Sequence, residues 1–229
     1  KLKLDASAVL VDSGGQPALE ATTGNLKGSA TTFWSTAADG GDVDKGGVGA
    51  LLAIRDPATR DIYSDTGANG AFEIFNTANF DADALGLSSD AELYSVLGAS
   101  TQTAAEMQID WARGYDAYDK DGDAITDEPR GWILGDILHS QPLVLNYGAR
   151  GSATTSNPDL RLLVGSNSGF VHLFGNSDGQ EDWAFFPKEL AFILPERRRN
   201  ALSNEHVYGM DLTPVTYTYD SNQDGTLDS

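Results

Sequence analysis

The sequence predicts a mainly β protein with a short helical insertion around residues 86–114, and three observations carry that reading. Short apolar runs alternate with turn residues in both halves of the chain; the later strands recur about every ten to twelve residues; and the pattern breaks once, where helix-capping spacings replace turn signals. The whole of 1–229 reads as a single domain, since 229 residues with 40% hydrophobic content are enough for one sizeable core.

The first strands fall in "KLKLD", "ASAVLVD", "GALLAI" and "GAFEIFNT", separated by "SGGQPA", "RDPATRD" and "TGANG". Within the insertion, Ser89-x-x-Glu92 and Thr103-x-x-Glu106 have capping-box spacing, so two short helices are expected. In the second, Ala104, Met107 and Trp111 recur at helical steps and are expected to face a core. From residue 130 the strand pattern returns in "GWILGDI", "QPLVLNYG", "LRLLVGSN", "GFVHLFGN", "DWAFFP" and "PVTYTYD". That pace fits a sandwich, a barrel or a propeller. The run "LLVGSNSGFVHLFGNSDGQEDWAF" reads as strand, tight turn, strand, glycine turn and Trp-led strand, which resembles one blade repeat of a quinoprotein-type propeller, a ring that takes several such repeats to close.

Charge excludes several functions. A formal net charge of −19 opposes binding to nucleic acid or insertion into an anionic membrane, because phosphate neutralisation needs clustered Lys and Arg. The basic run Arg197-Arg198-Arg199 reads as the solvated face of a turn or short helix. With no cysteine, disulfides, thiolate zinc sites and cysteine nucleophiles are absent. Abundant Gly, Asn, Asp, Ser and Thr fit a secreted β protein, and an opening strand pattern without a targeting segment is expected of a piece of something longer.

The sharpest motif is "DSNQDGTLD" at 220–228. Asp220, Asn222 and Asp224 stand at positions 1, 3 and 5 of an EF-hand-type loop, Gly225 at 6, Thr226 at 7 and Asp228 at 9. Ca²⁺ takes six to eight hard oxygens, and alternate residues of a tightly wound loop aim theirs at one centre. Gly225 permits the sharp turn, Thr226 offers its backbone carbonyl, and the carboxylates repel one another until a cation joins them. The twelfth position of such a loop falls past Ser229, and the flanking "PVTYTY" predicts a loop between strands. A second candidate is "DKDGDAITDE", with Asp119, Asp121, Asp123 and Asp127 at positions 1, 3, 5 and 9. Here Ala124 stands where the turn glycine belongs, and Glu128 could replace a missing ligand.

No catalytic set emerges, and the expectation is a protein that is not an enzyme. Asp136, His139 and Ser140 are the residue types of a hydrolytic triad, but neighbours in one extended segment point to opposite faces. His172 sits in an alternating strand as a packed or hydrogen-bonded residue, and His206 is isolated from any metal-ligand spacing.

Several stretches in order resemble the C-terminal domain of the PilC/PilY family of type IV pilus-tip proteins. These are "KLKLD", "IDWARGYD", "WILGDILHSQPLVL", "LLVGSNSGFVHLF" with "WAFFPKEL", "HVYGMDLTPV" and the 220–228 loop. The resemblance implies a modified, quinoprotein-like β-propeller of which this chain holds about half. It implies a location outside the cell, at the pilus tip on the bacterial surface, with minor pilins and a host or abiotic surface as partners. It further implies roles in pilus assembly, adhesion and twitching motility, with Ca²⁺ at Asp220, Asn222, Asp224, Thr226 and Asp228 tuning extension against retraction. A quinoprotein-like dehydrogenase and a purely structural surface or filament module are the alternative readings.

Overall fold

The computed structural model describes residues 2–42, 45–200, 206–217, 219–224 and 226–227. Its centre is a six-stranded mixed sheet in the order β4-β3-β8-β7-β6-β5. Four of these strands, β5 (Leu143–Asn146), β6 (Leu160–Gly165), β7 (Val171–Gly175) and β8 (Glu181–Phe185), form an antiparallel meander. β3 (Ile62–Ser64) then joins β8 in parallel, pairing Ile62 with Ala184, and β4 (Glu73–Ile74) closes that side as an antiparallel hairpin with β3. A separate two-stranded ladder joins β1 (Lys3–Leu4) to β2 (Leu10–Val11).

The meander forms where alternation is strictest. On β6 and β7, Leu162, Val164 and Phe174 pack on one face, against Leu52 and Ile133. Leu163 and Leu173 point to the other face, against Leu145, Trp183 and Leu227. The largest cluster lies beyond β8, where Phe75, Phe80, Phe170 and Phe186 meet at ring-centroid distances of 4.8–6.2 Å.

Both expected helices of the insertion form: α2 (Asp90–Val96) and α3 (Gln102–Arg113). Ser89 caps α2 as expected, accepting from the Glu92 amide, while the Glu92 carboxylate reaches back to the Ser88 amide at 2.7 Å. α3 starts two residues before the Thr103 spacing indicates: Thr101 is the cap, accepting from the Ala104 amide at 3.2 Å. Its core stripe is Ala105, Gln108, Ile109 and Ala112, one step round from the expected face, with Trp111 half-buried at the margin. Gly114 ends the helix at φ 116°.

Three expected strands are not strands. "GALLAI" folds as helix α1 (Gly47–Ala53), with Val48 and Leu52 four residues apart on the face that meets Phe174 and Val164. Residues 131–137 hold no regular structure and pack as a loop, with the Asn167 amide donating to the Asp136 carbonyl at 2.9 Å. The described part of "PVTYTYD" is likewise outside any strand. The basic run lies on a short helix, α4 (Leu194–Arg199). The sheet is open, and no closed barrel or propeller ring is present among the described residues. No helix among them is long and apolar enough to cross a membrane.

Candidate metal centres

The better-defined acidic loop is the one that carried the weaker spacing. Its neck is a short ladder beyond α3, in which the Asp116 amide donates to the Glu128 carbonyl and the Arg130 amide to the Gly114 carbonyl, each at 2.9 Å. Arg130 locks this neck. Its guanidinium lies 4.1 Å from the Trp111 ring centre and donates to the Trp111 carbonyl at 3.0 Å and to the Trp132 carbonyl. Burial lowers the Arg130 pKa to about 10, with the charge of Arg60 adding to the effect and Asp116 opposing it.

Held at its neck, the loop coils on its own amides. Asp119 accepts from the Ala124 amide at 3.0 Å, and Asp123 accepts from the Ile125 amide at 2.8 Å. Carboxylate oxygens of Asp119, Asp121 and Asp123 come within 4.8 Å of one another. A second set, Asp116, Asp121 and Glu128, does the same and shares Asp121. Partial burial raises the Glu128 pKa, and the charges of Asp123, Asp121, Asp116 and Asp127 raise it further. Asp127, expected at the ninth position, is exposed and belongs to neither set; Glu128 takes its place. Buried Asp116 was not legible from the spacing, because it enters from the helix side of the neck.

The 220–228 loop also winds on its own oxygens. The Asp224 amide donates to the Asp220 and Asn222 side-chain oxygens at 3.2 and 3.1 Å, and Asp224 accepts from the Thr226 amide at 2.8 Å. Asp220, Asn222, Asp224 and Thr226 therefore share one small loop, while Gly225 and Asp228 lie outside the described residues. The expected strand-to-strand setting is only half met. On the C-terminal side, the Leu227 amide donates to the Asn146 carbonyl at 2.8 Å and its side chain enters the cluster around Leu145. On the N-terminal side, Val215 and Tyr217 are each 95% exposed and outside any strand.

What anchors that side is a strap further upstream. The Met210 amide donates to the Ser166 carbonyl at 3.0 Å, the Gly209 amide to Asn167 Oδ1 at 3.3 Å, and the Gln141 amide to Thr213 Oγ1 at 3.0 Å. His139 pairs with Asp211 on the strap, and His206 lies 3.6 Å from Asp136. Ser140 instead accepts from the Gly165 amide at 2.9 Å, so Asp136, His139 and Ser140 do not converge.

His172 is fully buried and hydrogen-bonded, as its strand position predicts. Its Nδ1 lies 2.7 Å from Glu181 and its Nε2 lies 3.2 Å from Ser166 Oγ. The order Glu–His–Ser is that of a nucleophile relay, yet Ser166 is 0% exposed and also contacts the Phe170 carbonyl, so the group is structural. Arg60 completes it with a two-pronged contact to Glu181 at 2.8 and 3.0 Å. Burial opposes ionisation of Glu181, but the hydrogen bond from His172 and the charge of Arg60 outweigh it and hold the carboxyl far below its ordinary value.

Fold and loops together define a class: an open mixed β-sheet protein carrying two loops rich in carboxylate and amide oxygens, one of which gathers two overlapping carboxylate sets. Among known proteins, the chain is 30% identical over 190 residues, 73% of its length, to the type IV pilus biogenesis factor PilY1 of Pseudomonas aeruginosa (strain UCBPP-PA14). The chain spans 15% of the length of that relative. No family model matches the chain, and no solved structure matches it.

Proposed function

We propose that the chain is a non-enzymatic, calcium-binding part of a type IV pilus biogenesis factor. It would be exposed at the pilus tip on the cell surface, contacting minor pilins and serving attachment and twitching motility. The observation that carries this reading is the 30% identity to PilY1 along 73% of the chain. The propeller part of the reading is supported by β5–β8 running as four consecutive antiparallel strands, the unit from which a propeller blade is built.

Calcium is supported by donor chemistry in both loops. At the first, Asp220, Asn222, Asp224 and Thr226 would be joined by Asp228; at the second, Asp121 is common to both carboxylate sets. A bound cation supplies the positive charge that crowded carboxylates lack, and so stiffens each loop.

Titration calorimetry with Ca²⁺ separates the two sites. Two binding events are expected, one removed by Asp224→Ala and the other by Asp121→Asn; absence of heat in the unaltered protein removes calcium from the proposal. The pilus role is tested independently by counting surface pili and attached cells after deletion of the parent gene. Counts unchanged from the undeleted strain would overturn it whatever the calorimetry shows.

A further inference from the structure

The neck of the 119–128 loop holds a buried charge with no counter-ion in contact among the described residues. Asp116 is 5% exposed, and its carboxylate accepts one hydrogen bond, from the Lys120 amide to Oδ2 at 2.9 Å. Its Oδ1 has no donor, and no lysine or arginine forms an ion pair with it, among the described residues. Arg130 acts on Asp116 only at longer range, because its guanidinium is committed to the Trp111, Trp132 and Ile133 carbonyls. Buried charges are ordinarily paired or bound to a metal.

The surroundings of Asp116 add to its need for a cation. The neck is an antiparallel bridge between Tyr115 and Pro129, so Asp116 stands across from Glu128, and like charges directly opposite repel. The half-buried Glu128 carboxylate accepts no hydrogen bond among the described residues. Asp121 completes this inner set, with oxygens of the three within 4.8 Å of one another. Asp119 and Asp123, the two members found only in the coil set, are different. Each already accepts from a coil amide, of Ala124 and Ile125 respectively, and neither is buried.

The inner set is also reachable. Asp116 and Asp121 both line a cleft of about 1020 Å³ between the end of α3, residues 129–136 and α4, which gives an ion its entry path. Resting on the calcium reading of this loop, we infer that its divalent cation sits at the neck, between Asp116, Asp121 and Glu128, while Asp119 and Asp123 wind the coil and are not ligands. Three carboxylates supply up to about six of the oxygens Ca²⁺ takes, and water entering by the cleft completes the shell. An ion placed there ties residues 114–116 to residues 128–130, and so stiffens the junction that carries Trp111 and Arg130 into the wall of the cleft.

Calorimetry with Ca²⁺ on the whole chain carrying Asp224→Ala reads this loop alone. Adding Asp116→Asn, which keeps an acceptor for the Lys120 amide, or Glu128→Gln is expected to weaken binding by about tenfold or more, the loss of a direct ligand. Adding Asp119→Asn or Asp123→Asn removes only a neighbouring charge and should weaken it by about threefold or less. Hydrogen exchange on the unaltered protein gives a measurement that needs no variant. Ca²⁺ should raise protection of the Asp116 and Arg130 amides, which close the neck, by about tenfold or more.

Coil variants that cost as much as neck variants overturn the inference, and so does protection gained at the Ala124 and Ile125 amides with none at Asp116 and Arg130. In both cases calcium still binds this loop, and only the neck position is lost. Absence of heat in the Asp224→Ala chain removes the calcium reading of this loop and the neck position with it.

Discussion

Ala124 occupies the sixth position of the loop that begins at Asp119, where an EF-hand-type loop has its turn glycine, and its φ is 68°. The left-handed backbone is therefore taken by a residue that pays a steric cost for it. Ala124→Gly relieves that cost but loosens the unfolded chain, and the net expectation is a stabilisation of about 0.5–1 kcal/mol in urea unfolding. Glu181 behaves in the opposite way, because its value lies in its charge. Its folded pKa is depressed, so its contribution is complete above the ordinary value of 4.5 and fades as pH falls through the acid range below it. Glu181→Gln should cost about 3–5 kcal/mol at pH 7, because Arg60 and His172 lose their partner in the core. The variant should also lose less stability between pH 5 and pH 3 than the unaltered protein, as read by unfolding midpoints across that range.

Helix α3 shows how an element's start is decided by backbone geometry and not by spacing alone. Thr101 is extended, at φ −143° and ψ 161°, and its hydroxyl accepts from the Ala104 amide. The Glu106 carboxylate, which the Thr103 spacing would send back to the cap, instead accepts from the Gln102 side chain at 2.8 Å. Thr101→Ala should therefore destabilise the fold by about 1 kcal/mol, and Thr103→Ala by much less. Equal losses in thermal unfolding would contradict this cap. The helix C-terminus leads through Gly114 straight into the neck of the acidic loop, so fraying at Thr101 is not expected to reach the carboxylates. In α1 the same lesson applies with the opposite sign. The run "GALLAI" is apolar enough for a strand, but Leu52 packs with Val48, one turn before it and just outside the run, on the face that meets Phe174, which is helical spacing.

Across the whole molecule, the strap at 209–213 links the sheet to the 220–226 loop, and Gly165 is the point that admits it. A Cβ at Gly165 would sit 2.2 Å from the Met210 carbonyl oxygen, backbone that cannot swing away like a flexible side chain. Gly165→Ala is expected to push the strap off the end of β6 at a cost of about 1–3 kcal/mol. Hydrogen exchange should show lost protection at the Met210 amide while amides of the 116–128 neck keep theirs. Protection unchanged at both places would mean that the strap is not held through this contact.

The sequence by itself determined the alternation of β6, β7 and β8, the existence of two capped helices in the insertion, the absence of thiol chemistry, and the oxygen-rich spacing of both acidic loops. These are local properties, set by periods of two and 3.6 residues and by which side chains can reach their own backbone. Tertiary structure decided the rest. β3 lies beside β8 from more than a hundred residues away, and Arg60 reaches Glu181 across the same gap; no local spacing encodes either pairing. Residues 131–137 are apolar enough for a strand, but they run against the β6–β7 turn, where the Asn167 amide bonds the Asp136 carbonyl and a Cβ at Gly135 would meet Ser168 at 2.6 Å, and not beside a strand. Likewise, Asp116 and Glu128 join the acidic loop because the neck ladder places them opposite each other, whereas the spacing pointed to Asp127. Spacing names the oxygens that one coil can gather, and only the closing of the neck brings in those from either side of it.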